Sequence, residues 1–291
     1  LGRFMAGQRD RTVLATKYSL NLHPGDPNGG GNHRKSMVRG VEASLKRLAT
    51  DYIDLLYLHI WDDTTPVEEV MRGFDDLVRA GKIVYAGISD TPAWQVARMQ
   101  TLADLRGWSP LIALQVEYSL VQRTVERDLL PMANALGLGV TAWSPLGMGV
   151  LAGKYDRAAL AAGDRDAVGV TGTRQQVALT HDMLSERNLA IAEVVKAIAT
   201  EHGRSPAQVA LAWLLQRPGP GAIPIVGART LAQFEDNLGA LDVQLSQDDQ
   251  RRLDEASAVP LGFPHDFMRL PVPRNNIFGG TQVRVSAASR G

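Results

Sequence analysis

Tyr52-Ile53-Asp54-Leu55-Leu56-Tyr57-Leu58-His59-Ile60-Trp61-Asp62 carries the reading of the fold. Ile53 to Leu58 is a short run with apolar residues on both faces. A strand covered by helices on one side and barrel core on the other reads this way. Thr65-Pro66-Val67-Glu68 follows with a capping hydroxyl, a proline for the first helical position and a glutamate to close a capping box. Ile83 to Ile88 then starts the cycle again.

Outward from that unit the pattern repeats. Val13 to Thr16, Leu111 to Val116, Leu138 to Trp143 and Ala222 to Val226 are further runs of the same kind, and Thr91-Pro92 and Ser205-Pro206-Ala207-Gln208 are further helix starts. Such alternation means parallel strands joined by right-handed crossovers. A closed barrel and an open doubly wound sheet both fit. A (β/α)8 TIM barrel needs eight strands, and six are countable. Leu1 to Gly7 reads as the end of a helix, and the chain does not open with Met. The first one or two β/α units are therefore expected to be absent from this chain. Residues 1–291 are expected to form a single, N-terminally incomplete (β/α) barrel domain.

Composition narrows the partners. Lys plus Arg (31) balance Asp plus Glu (31), and no block of like charge stands out, which argues against nucleic acid. No cysteine is present, so disulfides, thiolate catalysis and Cys-ligated metal are excluded. No apolar run approaches the roughly 18 residues of a membrane span. A cytoplasmic protein without membrane or nucleic-acid partners is expected, with a homo-oligomer left open. His23, His33, His59, His181, His202 and His265 show no ligand spacing, so no metal site is expected. A G-x-S-x-G elbow for nucleophilic serine chemistry is missing too.

Two stretches break the rhythm. Asn21 to Asn32 is a Gly/Pro/Asn loop after the first strand, and Ser144 to Ser185 is a segment of about forty residues after the fifth. Both follow carboxyl ends of strands, the face where barrel active sites lie. The tail after Val259, including Phe263 to Phe267, reads as a surface wrap near the substrate.

Lys17 ends the first visible strand and His59 ends the next. Taken singly, Lys17 reads as a lysine snorkelling from the barrel rim and His59 as a polar strand cap. Two polar residues ending adjacent strands at one face point instead to a shared site. Trp143 ends a strand and offers a flat face for a ring, or packs as core. Ser89, Asp90 and Gln115 are suited to hold a carboxamide, or simply order their loops. Gly147-Met148-Gly149-Val150-Leu151-Ala152 fits a G-x-G-x-x-G/A string. It lacks the strand–turn–helix context of a dinucleotide fingerprint, and reads better as a small-residue loop near a pyrophosphate. Arg229 stands before a helix start at Thr230-Leu231-Ala232-Gln233. A cation there is mildly unfavourable unless an anion is near, such as a 2′-phosphate. Gln233 is accounted for equally well by a capping box.

Ala15-Thr16-Lys17, followed by Asp54-Leu55-Leu56-Tyr57-Leu58-His59, resembles the aldo-keto reductase family. The resemblance continues through Gly87-Ile88-Ser89-Asp90, Gln115, Trp143-Ser144-Pro145-Leu146, and Gly227-Ala228-Arg229 with Gln233 and Asn237. It implies a (β/α)8 barrel that binds NADPH and reduces an aldehyde or ketone by hydride transfer. It also implies roles. Lys17 and His59 are catalytic, and Ser89, Asp90 and Gln115 hold the nicotinamide amide. Trp143 is the stacking aromatic, and Ser144, Pro145, Leu146, Gly147 and Gly149 form its loop. Gly227, Arg229, Gln233 and Asn237 take the adenosine phosphate. Tyr18 and Trp61 are expected to wall the pocket for a small-molecule carbonyl substrate. Asp90 departs from the family's usual Asn, and an ionised Asp can only accept.

The resemblance also implies a catalytic tyrosine and carboxylate before Lys17. Leu1 to Arg11 contains no tyrosine, and Asp10 is its sole carboxylate. The expectation is that they lie upstream of Leu1. Two other functions stay open. Potassium channel β subunits share the pattern, so a cofactor-binding regulatory subunit with slow or no turnover fits as well. A lyase using Lys17 as a Schiff-base nucleophile is the third reading.

Overall fold

A computed structural model describes residues 1–161, 178–179, 181–219 and 221–281. The middle of the long Ser144–Ser185 loop lies outside the described residues, as does the end of the tail. The described residues carry six strands interleaved with helices, an α/β chain with the strands in the expected places. Two compact units are distinguished: Leu1–Val116 with Met132–Val140, and Glu117–Pro131 with Thr141–Gly291.

In the first unit, β1 (Ala15–Tyr18), β2 (Ile53–Leu58), β3 (Ile83–Ser89) and β4 (Leu111–Glu117) pair in chain order, all parallel. A short helix α1 (Gly2–Met5) precedes them, and α2 (Arg34–Leu48), α3 (Val67–Arg79) and α4 (Ala93–Arg106) are the crossovers. Along α3 the buried residues Val67, Val70, Met71, Phe74 and Leu77 recur at helical spacing, so one stripe faces the sheet. Gly87 is small because Tyr57 leaves no room. A Cβ at residue 87 would stand 2.6 Å from Tyr57 Cε1.

Two helix starts differ from expectation. Pro66 and Pro92 are themselves the N-cap residues of α3 and α4, and neither helix has a side-chain cap. Their threonines stand one residue too early to reach the free N–H groups. Thr65 Oγ1 instead donates to Asp62 Oδ2 (2.8 Å), and Thr91 Oγ1 donates to the Ser89 carbonyl (2.8 Å).

The second unit contains the pairing of β5 (Gly139–Trp143) with β6 (Ile223–Pro224), through Thr141 with Ile223 and Ala142 with Pro224. Between β4 and β5 the chain forms α5 (Leu129–Ala135), and after β5 it forms α6 (Arg157–Ala161). Then come α7 (Glu186–His202), α8 (Pro206–Leu215), α9 (Leu231–Leu238) and α10 (Gln247–Ala256). At α8 the expected capping box forms, with Ser205 and Gln208 reciprocally bonded and Pro206 in the first turn. The tail carries two exposed short helices, α11 (His265–Arg269) and α12 (Pro271–Phe278). Among the described residues no helix is long and apolar enough to cross a membrane.

Candidate active site

Strand register determines which side chains share a face in the first unit. Lys17 stands opposite Tyr57, Tyr57 opposite Gly87, and Gly87 opposite Ala113. One rank on, Tyr18, Leu58, Ile88 and Leu114 are aligned in the same way. The rank after that holds Ser89 opposite Gln115, with His59 immediately beyond Leu58. Side chains alternate across a sheet, so residues two ranks apart share a face. Lys17, His59, Ser89 and Gln115 are brought together on one face, at the carboxyl ends of four adjacent strands.

Tyr18 falls in the intervening rank and turns the other way. It is buried, its ring meets Phe74 of α3 edge-on at 6.1 Å, and its hydroxyl donates to the Asn32 carbonyl at 3.2 Å. Tyr18 nonetheless lines, with Lys17 and His59, a cleft of about 240 Å³. Burial, with the carboxylates of Asp62 and Glu69 adding to it, holds its phenol well above the usual range. Its phenol is thus held neutral.

The electrostatics of this face are coupled. Burial pushes the Lys17 ammonium below its ordinary value, and the Asp90 carboxylate opposes the shift. Burial and then the Lys17 charge push His59 down, again opposed by Asp90. Asp90 itself is held at both backbone groups. Its carbonyl accepts from Trp61 N–H (3.3 Å) and its N–H donates to the Gln115 carbonyl (3.3 Å). Its φ of +37° is unusual for a residue other than glycine. Trp61, expected to line the substrate pocket, is buried beside it.

Whether a nicotinamide fits can be tested on Ser89. Its side chain is completely buried, and its hydroxyl has no hydrogen-bond partner among the described residues. A buried hydroxyl without a partner is costly in isolation. Beside Gln115 it is suited to a carboxamide, and the residues present fit such a group.

The other expected cofactor residues belong to the second unit. Trp143 ends β5 half-buried, and its carbonyl accepts from Tyr118 N–H (3.4 Å). Ser144 follows with φ +53°, then Gly147 (φ +53°) and Gly149 (φ +105°). A Cβ at Gly147 would meet Val121 Cγ2 at 2.8 Å, so this loop is packed from below. Ser144, Pro145, Leu146, Gly149, Gly227, Gln233 and Asn237 line one cleft of about 330 Å³. Gly147 and Arg229 do not line it.

The Arg229 side chain is exposed, and its guanidinium has no hydrogen-bond or ion-pair partner among the described residues. Thr230 caps α9 by accepting from Gln233 N–H (3.2 Å). The Gln233 side chain then accepts from Arg229 N–H (3.1 Å), one residue further back than a capping box requires. Half of the expected box forms. The glutamine instead fixes the loop that carries Arg229.

Two charged residues of this cleft were missed in the sequence. Lys154 lines it and is a cation just beyond the glycine loop, a spacing that was available to be read. Asp236 also lines it, with its carboxylate accepting from Ser205 Oγ (2.9 Å), a pairing no spacing announces.

Four parallel strand ends bring a lysine, a histidine, a serine and a glutamine to one face, with a glycine-lined cleft elsewhere in the chain, and define an α/β protein of the barrel type with a candidate site at its strand ends. Sequence comparison agrees: the profile of the Aldo/keto reductase family matches residues 1–258. The chain belongs to that family, and its α/β architecture accords with the family's (β/α)8 barrel. It is 35% identical over 277 residues to norsolorinic acid reductase A of Aspergillus parasiticus, covering 92% of this chain and 66% of that protein. It is 34% identical over 268 residues to aryl-alcohol dehydrogenase [NADP(+)] of Phanerodontia chrysosporium, covering 89% and 68%. It is 36% identical over 265 residues to norsolorinic acid reductase B of Dothistroma septosporum, covering 89% and 64%. The chain thus spans about two thirds of the length of the curated relatives it matches.

Proposed function

We propose that this protein reduces an aldehyde or ketone to an alcohol, with NADPH as the hydride source. The observation that carries the reading is the shared face of Lys17, His59, Ser89 and Gln115. Family membership supports it, and so do relatives named as reductases and as an NADP(+) dehydrogenase. The last of these makes aryl aldehydes the substrates to try first.

NADPH, when bound, supplies the hydride. Ser89 and Gln115 hydrogen-bond the carboxamide, and Asp90, as an acceptor, takes its N–H. In the second unit, Trp143 is the candidate side chain for stacking on a ring. The loop Ser144, Pro145, Leu146, Gly147 and Gly149, with Lys154, serves the pyrophosphate. Gly227, Arg229, Gln233 and Asn237 serve the adenosine phosphate, with the guanidinium as the charge that selects a 2′-phosphate. His59 orients the substrate carbonyl by hydrogen-bonding its oxygen, and the nearby Lys17 cation favours negative charge developing there. Trp61 bounds the substrate. No tyrosine precedes Lys17 in the sequence, and the role of proton donor is given to none of these residues.

The test is aldehyde-dependent loss of NADPH absorbance with purified protein and an aryl aldehyde, together with detection of the alcohol. Stoichiometric NADPH binding with no aldehyde-dependent oxidation would overturn the reductase reading in favour of a binding subunit. Borohydride trapping of a carbonyl compound on Lys17 would favour the lyase.

A further inference from the structure

We propose that Asn32 and Asp62 are a positioning pair that sets His59 and Trp61 against the carbonyl substrate; the proposal rests on the reductase reading above. The four residues His59 to Asp62 form no regular structure, yet each backbone N–H is held from another part of the first unit. His59 N–H donates to the Tyr18 carbonyl (3.1 Å) and Trp61 N–H to the Asp90 carbonyl (3.3 Å). Ile60 N–H donates to Ser19 Oγ (3.3 Å), and Asp62 N–H donates to Asn32 Oδ1 (2.8 Å).

The last of these contacts is reciprocated. Asn32 N–H donates to Asp62 Oδ2 (2.7 Å), and Asn32 Nδ2 donates to the Ile60 carbonyl (2.8 Å). Asp62 Oδ1 also accepts from Thr64 N–H (3.0 Å) and Thr65 N–H (2.9 Å), and Oδ2 from Thr65 Oγ1 (2.8 Å). Asn32 is completely buried, and its carbonyl receives the Tyr18 hydroxyl.

The chemistry requires this order of residue types. Position 32 must donate to one carbonyl and accept from one N–H, which an amide does and a carboxylate does not. Position 62 faces four donors, which suits an acceptor-only carboxylate. These donors hold the Asp62 carboxyl below its usual range, against burial, which pushes it up. A pair built this way fixes the end of the Asn21–Asn32 loop to the segment that presents His59 and Trp61. A displacement of about 1 Å in a group that orients substrate is enough to cost a hundredfold in rate.

Asn32→Asp in the full protein tests the pair. The variant turns an acceptor toward the Ile60 carbonyl and sets a second anion beside Asp62. At about pH 8 it should lose roughly ten- to a hundredfold in kcat for an aryl aldehyde, with NADPH Kd changed less than about threefold. Toward about pH 5 the loss should shrink relative to wild type, as a protonated carboxyl regains a donor. The His59 imidazole resonances should move in the same variant, with or without turnover. Ser19→Ala, which removes one of the four N–H contacts, is the milder variant should Asn32→Asp fail to fold. It should lower kcat by about three- to tenfold while NADPH binding holds.

Wild-type kcat together with unmoved His59 resonances in Asn32→Asp would overturn the pairing. So would equal loss of kcat and cofactor binding without acid recovery, which marks a purely structural role. A wild-type protein with no aldehyde turnover would refute the reductase reading alone, since the His59 resonances still report on the pair.

Discussion

Nε of Arg217 donates to the phenolic oxygen of Tyr118 over 3.1 Å. The same tyrosine donates to Glu126 Oε1 (2.8 Å), and Arg217 reaches both oxygens of Asp254 at 2.9 and 3.0 Å. Arg123 closes the network through Glu126 and Ser257, and both guanidiniums lie over the Trp213 ring. Burial holds the Tyr118 phenol above its usual range, so it stays a neutral donor. Tyr118→Phe keeps the ring but takes one of two donors from Glu126 Oε1 and leaves Arg217 Nε without its acceptor. Removing one partner from a buried polar network costs about 1–3 kcal/mol. Denaturant titration should show that loss with an unchanged m-value, and a midpoint equal to wild type would refute it.

Gly147 is where the loop after β5 has no room for a side chain. A Cβ would meet Val121 Cγ2 at 2.8 Å, and the backbone already sits at φ +53°. Gly147→Ala should cost more than about 1 kcal/mol, combining left-handed strain with displacement of Val121. NADPH affinity should fall with it, since the neighbouring Gly149 lines the cleft. Thermal unfolding paired with cofactor titration measures both; a stable variant with normal affinity would show that the loop tolerates a methyl group.

Much of this was legible from the residues. Six apolar runs marked six strands, most clearly β2 and β4, in which no residue is exposed; β1, β3 and β6 each carry exposed positions and were legible from their apolar composition alone. Lys17 and His59 were readable as a pair because each stands at the end of its strand, whereas Ser89 and Gln115 joined them through the family resemblance. The burial of Tyr18 against Phe74 was not legible without register: one residue further along β1 turns it to the helix side, while it still lines the cleft that holds Lys17 and His59. Thr65 and Thr91 looked like caps, but local spacing does not tell whether a proline fills the first helical position or the cap itself. Asn32 and Asp62 went unnoticed because they stand thirty positions apart and meet only once β1 and β2 are paired.

The Lys17–His59–Asp90 group makes a pH prediction whose sign follows from burial. His59 is held below its ordinary value of about 6.5, so the unfolded chain binds the proton more readily. The stability it contributes is complete above that value and is lost as pH falls through it toward the folded-state value. Asp90 opposes the shift, so Asp90→Asn should lower the His59 midpoint further and extend the window on its acid side. An NMR titration of the imidazole reads this directly. A midpoint that rises or stays in place would mean that Asp90 does not act on His59.

Cofactor choice turns on Arg229. Its backbone N–H is fixed by Gln233, while its guanidinium has no partner among the described residues. A cation near the start of α9 is opposed by the positive end of the helix dipole and is tolerated best with an anion at hand. Arg229→Ala should therefore weaken NADPH binding by about ten- to a hundredfold, the scale of a lost hydrogen bond to a charged group. NADH, lacking the 2′-phosphate, should change by less than about threefold. Fluorescence titrations with both cofactors decide the point: equal losses would move Arg229 from phosphate recognition to general support of the loop.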